Sequence, residues 1–95
     1  MDTFDIKTEI NILKQYAKDE NVPIIQDDGM EFLETFIEKK QIKNILEIGT
    51  AIGYSAIKMA LVREDIHVTT IERDEERYLE ALKNIKKFGL EDRIT

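Results

Sequence analysis

The spacing of apolar residues predicts an amphipathic helix at the start of the chain. Ile6, Ile10, Leu13 and Ala17 recur at intervals of three or four residues, as the buried stripe of a helix does. The polar residues 19–21 follow and mark its end. We expect this helix to pack on the domain or on a second subunit, because its opposite face carries charges of both signs.

A second helix is predicted after Pro23, which disfavours helical backbone at the residue before it. Asp27 or Asp28 is expected to cap its start, and Lys39 and Lys40 lie in its last turn. Five apolar residues at helical spacing are predicted to form its buried face: Met30, Leu33 and Ile37, widened by Phe32 and Phe36.

Residues 44–60 predict a buried strand, a glycine-bearing turn and a helix. Ile45, Leu46 and Ile48 form a short apolar run, which is typical of a strand covered on both faces of a parallel sheet. Gly49 and Gly53 bracket a turn where the backbone needs unusual dihedral angles or close approach to a ligand. From residue 54 onward the apolar spacing becomes helical.

A second strand, a further helix and the start of a third strand complete the pattern. Residues 67–71 predict the strand, and Glu72 stands at its carboxyl end. Asp74 is expected to cap the next helix, and Gly89 to stop it. Its buried stripe is predicted to comprise Tyr78, Leu82 and Ile85. Residues 93–95 begin the third strand, so the order predicts an α/β fold with a parallel sheet and helices on both faces.

Composition narrows the classes of partner. The 95-residue chain has a formal net charge of -6, so any RNA partner would need a local basic patch. It has no cysteine, which suits a cytoplasmic protein, and its acidic first residues do not resemble a secretory signal. No apolar run approaches the roughly 20 residues of a membrane span, so we expect a soluble protein without a membrane partner.

The glycine turn at the end of the first strand indicates a nucleoside ligand. In open α/β sheets, ligands bind beyond the carboxyl ends of the strands. A dinucleotide motif starting at Gly49 would need glycine at positions 51 and 54, which are Ala51 and Tyr54. The missing second glycine is the one that admits a pyrophosphate, so an adenosine ligand without phosphates there is favoured. An NAD(P)-dependent oxidoreductase remains the alternative enzyme, and a non-catalytic, self-associating fragment the alternative without activity.

The pattern Glu47-x-Gly49-x-x-x-Gly53, followed by Glu72, resembles the cofactor site of class I S-adenosylmethionine-dependent methyltransferases. Residues 45–55 with residues 70–74 resemble more narrowly the O-methyltransferases of the caffeoyl-CoA and catechol type, and within them the bacterial tRNA 5-hydroxyuridine methyltransferases. The resemblance implies a Rossmann-like three-layer fold. It also implies methyl transfer from S-adenosylmethionine to a hydroxyl oxygen, with the wobble 5-hydroxyuridine of tRNA as acceptor.

Seven residues are predicted to bind the cofactor, and none is predicted to be catalytic. They are Ile25, Glu47, Gly49, Thr50, Gly53, Ser55 and Glu72. The Glu72 carboxylate can accept both ribose hydroxyl protons. Burying Glu47 near the strand end is costly unless its carboxylate is paired or faces a cation, either the methionine ammonium of the cofactor or a nearby Lys or Arg.

Two of the seven residues have equally plausible structural roles. Ser55 can either cap the third helix or hydrogen-bond the cofactor. For Ile25, the resemblance implies a place over the methionine end of the cofactor, and plain core packing is the alternative.

The resemblance also implies a divalent metal, magnesium, whose ligands lie beyond residue 95. We therefore expect residues 1–95 to be the amino-terminal portion of one methyltransferase domain, with residues 1–21 as a helical extension and residues 22–95 as the cofactor-binding half. A two-stranded sheet leaves an open edge and apolar surface. The chain alone is expected to be inactive and to form homo-oligomers.

Overall fold

A computed structural model describes residues 4–95, which form four α-helices and a two-stranded sheet. The elements, in chain order, are α1 (Ile6–Asp19), α2 (Asp27–Lys39), β1 (Asn44–Ile48), α3 (Tyr54–Ala60), β2 (His67–Ile71) and α4 (Glu75–Lys87). This order confirms the predicted succession of two helices followed by a β-α-β-α unit.

The two strands run parallel, as a helical crossover between neighbouring strands requires. Their register pairs Ile45 with Val68 and Glu47 with Thr70. On the other side of β2, Val68 forms a parallel bridge with Ile94. Residues 93–95 therefore begin to pair as a third strand, as predicted, and β2 lies between them and β1.

The described helices cover one face of this sheet. Val68 on the covered face is fully buried, whereas Leu46 and Ile48 on the other face are 66% and 75% exposed. Ile71 shares that uncovered face and is also exposed. The prediction that β1 is covered on both faces is therefore wrong for the described residues. Apolar composition identified the strand, but composition cannot say which chain segment covers each face.

The core lies between the covered face and the helices. The α1 residues Ile10, Leu13 and Ala17 are buried in it, as predicted, whereas Ile6 is exposed in the first turn. Ile57 of α3 and Val68 of β2 are fully buried at its centre. α3 thus packs directly on the sheet and is in turn covered by the two preceding helices.

Two expectations for α2 are wrong. Gln26 is its N-cap residue, and no side chain caps the helix. Asp27 lies inside the first turn and pairs with Lys14 of α1 at 2.8 Å. The side chain of Asp28 accepts a hydrogen bond from the adjacent Gly29 amide. Phe32 and Phe36 do not widen the buried face. Their rings are exposed to solvent and stack on each other, with centroids 6.3 Å apart.

The start and end of α4 match the predictions, but its buried face matches the predicted one only at Ile85. Asp74 caps it by accepting from the Arg77 amide at 3.0 Å, and Gly89 ends it with a φ of 68°. Tyr78 and Leu82 are half exposed. The residues that α4 buries are Ala81, Asn84 and Ile85. The helix is rotated because Ala81 and Asn84 pack on the turn after β1.

None of the helices in residues 4–95 combines the length and apolarity needed to cross a bilayer.

Candidate functional site

The turn between β1 and α3, residues 49–53, is held in an unusual backbone shape. The amides of Gly49 and Thr50 both donate to the Ile71 carbonyl at the end of β2, at 2.7 and 3.1 Å. Gly49 and Gly53 both have a φ of 92°, and Ala51 has a φ of 51°. Glycine adopts such left-handed angles without the steric cost that a Cβ imposes. The two glycines therefore let the chain leave the sheet and enter α3 within five residues.

The surroundings of the two glycines differ. A Cβ on Gly53 would lie 3.6 Å from atoms of Ala81, so α4 packs closely beneath the turn. The buried Asn84 side chain supports the same region by donating to the Ile52 carbonyl at 2.8 Å. A Cβ on Gly49 would meet nothing within 4 Å. The 49–53 turn is thus supported from one side and open at Gly49.

Glu72 lies beside this open turn. Its Oε1 accepts from the Ala51 amide at 2.7 Å, and its Oε2 accepts from the Asp74 amide at 2.9 Å. An ionised carboxylate offers about four acceptor positions, so each oxygen keeps capacity for a further donor. The end of β2 is therefore fixed against the turn while its carboxylate stays able to bind hydroxyl groups.

Glu47 is the centre of a hydrogen-bonded group of side chains. Its Oε1 accepts from the Thr70 hydroxyl at 2.7 Å, and its Oε2 accepts from the Ser55 hydroxyl. The Thr70 hydroxyl also lies 2.7 Å from the Thr50 hydroxyl. Three of the predicted residues, Glu47, Thr50 and Ser55, are thereby brought together at the carboxyl end of β1.

No ion pair in the described part of the chain includes Glu47. The predicted alternative, a salt bridge to a neighbouring Lys or Arg, is therefore not observed among these residues. The carboxylate is half buried, and the two hydroxyl donors stabilise its charge in place of a cation.

Ser55 does not cap α3. Gly53 is the N-cap residue of that helix and the cap has no side-chain hydrogen bond, because the Ser55 hydroxyl is directed to Glu47. The capping role predicted as one of two alternatives is therefore not observed. Its contact with the cofactor stays a prediction.

Ile25 lies in the segment that leads into α2 and packs against the hydrophobic core. Its Cγ1 is 3.1 Å from the position that a Cβ on Gly29 would occupy, so it fits against the one glycine of that helix. This contact corresponds to the core-packing alternative. Its predicted place over the cofactor stays a prediction.

Tyr54 follows Gly53 directly and is only 2% exposed. Burial raises the pKa of its phenol above the ordinary value, and the negative charges of Asp27 and Glu34 act in the same direction against the opposing effect of Lys58. The residue after the turn is therefore a neutral core side chain that anchors the start of α3.

Sequence reasoning missed Thr70 and Asn84. Thr70 shares a sheet face with Glu47 and lies two residues before Glu72, but its contact with Glu47 depends on the register of the two strands, which no local sequence pattern specifies. Asn84 lies three residues after Ala81 on the face of α4 that meets the turn, and it is a buried polar residue. Its contact with the Ile52 carbonyl depends on how α4 packs and has no signal in the sequence.

A metal site is not found in this part of the protein. Residues 4–95 contain no group of three or more His, Asp or Glu side chains arranged to hold a metal ion. The resemblance places the ligands of the implied magnesium beyond residue 95, so a magnesium site stays a prediction.

Comparison with known proteins identifies the family. A model of the O-methyltransferase family matches residues 7–95. The chain belongs to the O-methyltransferase family. A curated relative, caffeoyl-CoA O-methyltransferase of Populus kitakamiensis, is 35% identical over 82 residues, which cover 85% of this chain and 34% of that protein.

Solved structures of the family share the fold of this O-methyltransferase chain. The crystal structure of a candidate caffeoyl-CoA O-methyltransferase from Staphylococcus aureus is 40% identical and aligns with a TM-score of 0.87, over 90% of this chain and 41% of that one. An O-methyltransferase from Bacillus cereus, solved with SAH, is 29% identical with a TM-score of 0.80, over 97% of this chain and 42% of that one. The Rossmann-like methyltransferase fold is thus confirmed. The chain spans about a third of the length of the curated relatives it matches.

Proposed function

We propose that the protein containing this chain transfers the methyl group of S-adenosylmethionine to a hydroxyl oxygen, and that residues 22–95 form its cofactor-binding half after a helical extension, residues 1–21. One observation carries this proposal. The Glu72 carboxylate is fixed by the Ala51 and Asp74 amides beside a glycine turn that is open at Gly49. This is the arrangement that a ribose with two free hydroxyls requires.

The chemistry of the residues fits each part of the cofactor. Glu72 keeps acceptor capacity for the ribose hydroxyls. Gly49 has no side chain and nothing near its Cβ position, so the ligand can approach the backbone there. Glu47 has no cationic partner among the described residues, which suits the ammonium of the methionine end. The Bacillus cereus relative solved with SAH supports the same ligand class.

The role of this half is to position the methyl donor. When bound, the cofactor supplies a sulfonium methyl carbon that an oxygen nucleophile can attack in line, with S-adenosylhomocysteine as the leaving group. The residues of this chain bind the ribose and the amino-acid end and so fix the sulfonium between them. Holding the reacting groups at near-attack distance supplies much of the rate enhancement in such a transfer. No residue of this chain is assigned to the acceptor hydroxyl.

The two alternatives receive less support. A nicotinamide-dependent oxidoreductase needs glycines at positions 51 and 54, and both carry side chains. The non-catalytic alternative concerns the 95-residue chain by itself. Its uncovered sheet face favours association with a second copy, so a homo-oligomer of the isolated chain stays part of the proposal.

The finer assignments rest on the sequence motifs alone. We propose the wobble 5-hydroxyuridine of tRNA as the acceptor, because residues 45–55 and 70–74 resemble the enzymes that modify it. A magnesium ion that favours the acceptor oxyanion, and a location in the cytoplasm, belong to the same proposal.

Two measurements test the function. Calorimetry with S-adenosylhomocysteine on the intact protein should detect binding, and the same titration with NAD should not. A radiolabelled methyl-transfer assay should then compare tRNA containing 5-hydroxyuridine with a catechol acceptor, with and without magnesium. Absence of S-adenosylhomocysteine binding would contradict the proposed function. Turnover of the catechol alone would contradict only the acceptor.

The same assay applied to the 95-residue chain tests whether these residues only bind the cofactor or also activate the acceptor. We expect no turnover, because no residue described in 4–95 is assigned to the acceptor hydroxyl and the resemblance implies metal ligands beyond residue 95. Turnover by a chain that sediments as a monomer would show that the catalytic groups lie within these residues.

A further inference from the structure

We propose that Thr70 is a positioning residue for the cofactor site, acting through Glu47 without touching the ligand. This inference rests on the proposed function. It starts from the strand register, which places Thr70 directly beside Glu47 on the covered face of the sheet. The pairing of the two strands therefore makes the side chains of Thr70 and Glu47 neighbours. Thr70 lies two residues before Glu72 on the same strand segment.

The direction of the hydrogen bonds follows from the number of protons available. An ionised Glu47 has none to donate, so Thr70 donates its single hydroxyl proton to Oε1 at 2.7 Å. The contact of 2.7 Å between the two threonine hydroxyls must then use the proton of Thr50. The relay runs from Thr50 to Thr70 to Glu47.

The relay connects the 49–53 turn, β2 and β1 through side chains, in addition to the backbone hydrogen bonds that join the turn to the end of β2. Thr50 belongs to the 49–53 turn and accepts from the Gly53 amide through its carbonyl at 3.0 Å. Ser55 of α3 donates to the second oxygen of Glu47. Thr70 is the only member of the relay on β2, so it links the turn and the start of α3 to the centre of the described sheet.

Thr70 therefore fixes the direction in which Glu47 presents its charge. Thr70 donates to Oε1 of Glu47 and Ser55 donates to Oε2, so each carboxylate oxygen uses one lone pair. The remaining lone pairs can accept from a cationic group of the ligand. Without Thr70, one oxygen loses its donor and the carboxylate can rotate. The predicted effect is selective: the amino-acid end of the cofactor loses affinity, and the adenosine end does not.

The test compares two ligands that differ in that end alone. S-adenosylhomocysteine carries the amino-acid portion, whereas 5′-methylthioadenosine lacks it. Thr70→Val removes the hydroxyl at nearly constant shape and should weaken S-adenosylhomocysteine binding to the intact protein about tenfold, as loss of a hydrogen bond to a charged group does. Binding of 5′-methylthioadenosine should stay unchanged. Thr70→Ser keeps the hydroxyl and should restore the affinity for S-adenosylhomocysteine.

Thr69→Val is the matched control, because Thr69 lies next to Thr70 on the exposed face of the same strand. It should leave both affinities unchanged. If Thr70→Val fails to fold, Thr70→Cys provides a second variant, whose thiol is a weak donor and should give the same selective loss.

Equal loss of both ligands in the Thr70 variants would mean general damage to the fold and would overturn the inference, as would no loss at all. Either result would leave the proposed function standing. Failure of the unsubstituted protein to bind either ligand would overturn the proposed function itself, and the role of Thr70 with it.

Discussion

The Ala51 amide donates a 2.7 Å hydrogen bond to the Glu72 carboxylate, across 21 residues of chain. Ala51 has a left-handed φ of 51°, which is unfavourable for a residue with a Cβ. Glu72 therefore has one observed function and one proposed function. It stabilises the shape of the 49–53 turn, and in the proposed function it also presents the acceptor oxygens for the ribose of the cofactor.

Replacing Glu72 should separate these two functions. Glu72→Ala removes both and should weaken S-adenosylhomocysteine binding by about 1 to 3 kcal/mol, the energy of a hydrogen bond to a charged group. Glu72→Gln keeps one carbonyl oxygen for the Ala51 amide but turns its NH2 group toward the Asp74 amide, so it should retain more of the stability than Glu72→Ala while losing part of the affinity. Calorimetry and denaturant unfolding measure the two quantities. Glu75→Ala, an exposed acid in the first turn of α4, is the control. Unchanged affinity in Glu72→Ala would show that Glu72 does not bind the cofactor.

Gly49→Ala and Gly89→Ala form a matched pair. Both glycines have positive φ, 92° and 68°, and a Cβ on either would meet nothing within 4 Å. Each substitution should therefore lower the free energy of unfolding by about 1 to 2 kcal/mol, through backbone strain alone. Only Gly49→Ala should also weaken S-adenosylhomocysteine binding, since its new methyl group would occupy the proposed ligand space. Denaturant unfolding measures the stability of each variant, and calorimetry measures its affinity for S-adenosylhomocysteine. Equal affinity in the two variants would show that the ligand does not lie against Gly49.

The buried phenol of Tyr54 should lower the free energy of unfolding in alkali. Burial raises the pKa of its phenol above 10.0, so the unfolded chain releases that proton at a lower pH than the folded protein does. The free energy of unfolding should be independent of this group below about pH 9 and should fall as the pH rises through 10. Tyr54→Phe should reduce the fall.

Denaturant titrations at pH 8 and near pH 11 would measure this difference. Tyr78→Phe, at a half-exposed tyrosine on α4, is the control and should follow the unsubstituted chain. A Tyr54→Phe variant that loses as much stability in alkali as the unsubstituted chain would show that the phenol is hydrated in the folded state.

The uncovered face of the sheet should make the isolated chain self-associate. Ile48 is the most exposed apolar residue on that face, and burying it against a second copy is worth about 1.5 to 3 kcal/mol. Ile48→Thr keeps the strand propensity of a branched side chain and should weaken association about tenfold. Leu79→Gln removes a comparably exposed residue from α4 and is the control. Sedimentation velocity measures both, and a chain that stays monomeric at every concentration would contradict this use of the face.

The sequence was sufficient for the elements and their order because local signals mark them. Gly49, Gly53 and Gly89 are at left-handed positions, and Asp74 caps α4, so turn and cap chemistry located these boundaries within a residue or two. The same residues identified the part of the sheet where Glu47 and Glu72 meet the turn. Those signals act over a few residues and do not depend on the rest of the fold.

Features that depend on packing were not predictable in this way. Tyr78 and Leu82 have helical spacing, yet α4 is rotated so that Ala81 fits against Gly53. Leu46 belongs to an apolar run typical of a strand covered on both faces, yet it is exposed, because the described helices pack on the opposite face of the sheet. The Thr70 relay needed the register of the two strands, which no local pattern specifies.

The parallel bridge between Val68 and Ile94 has a consequence for where a crevice can open. Within residues 4–95, each new strand joins on the same side, first β2 beside β1 and then residues 93–95 beside β2. A strand joining the free side of β1 would reverse that direction of growth. At such a reversal the connections from neighbouring strands diverge to opposite faces and leave a gap at their carboxyl ends. Such a strand would therefore place the gap at the end of β1 that carries Gly49.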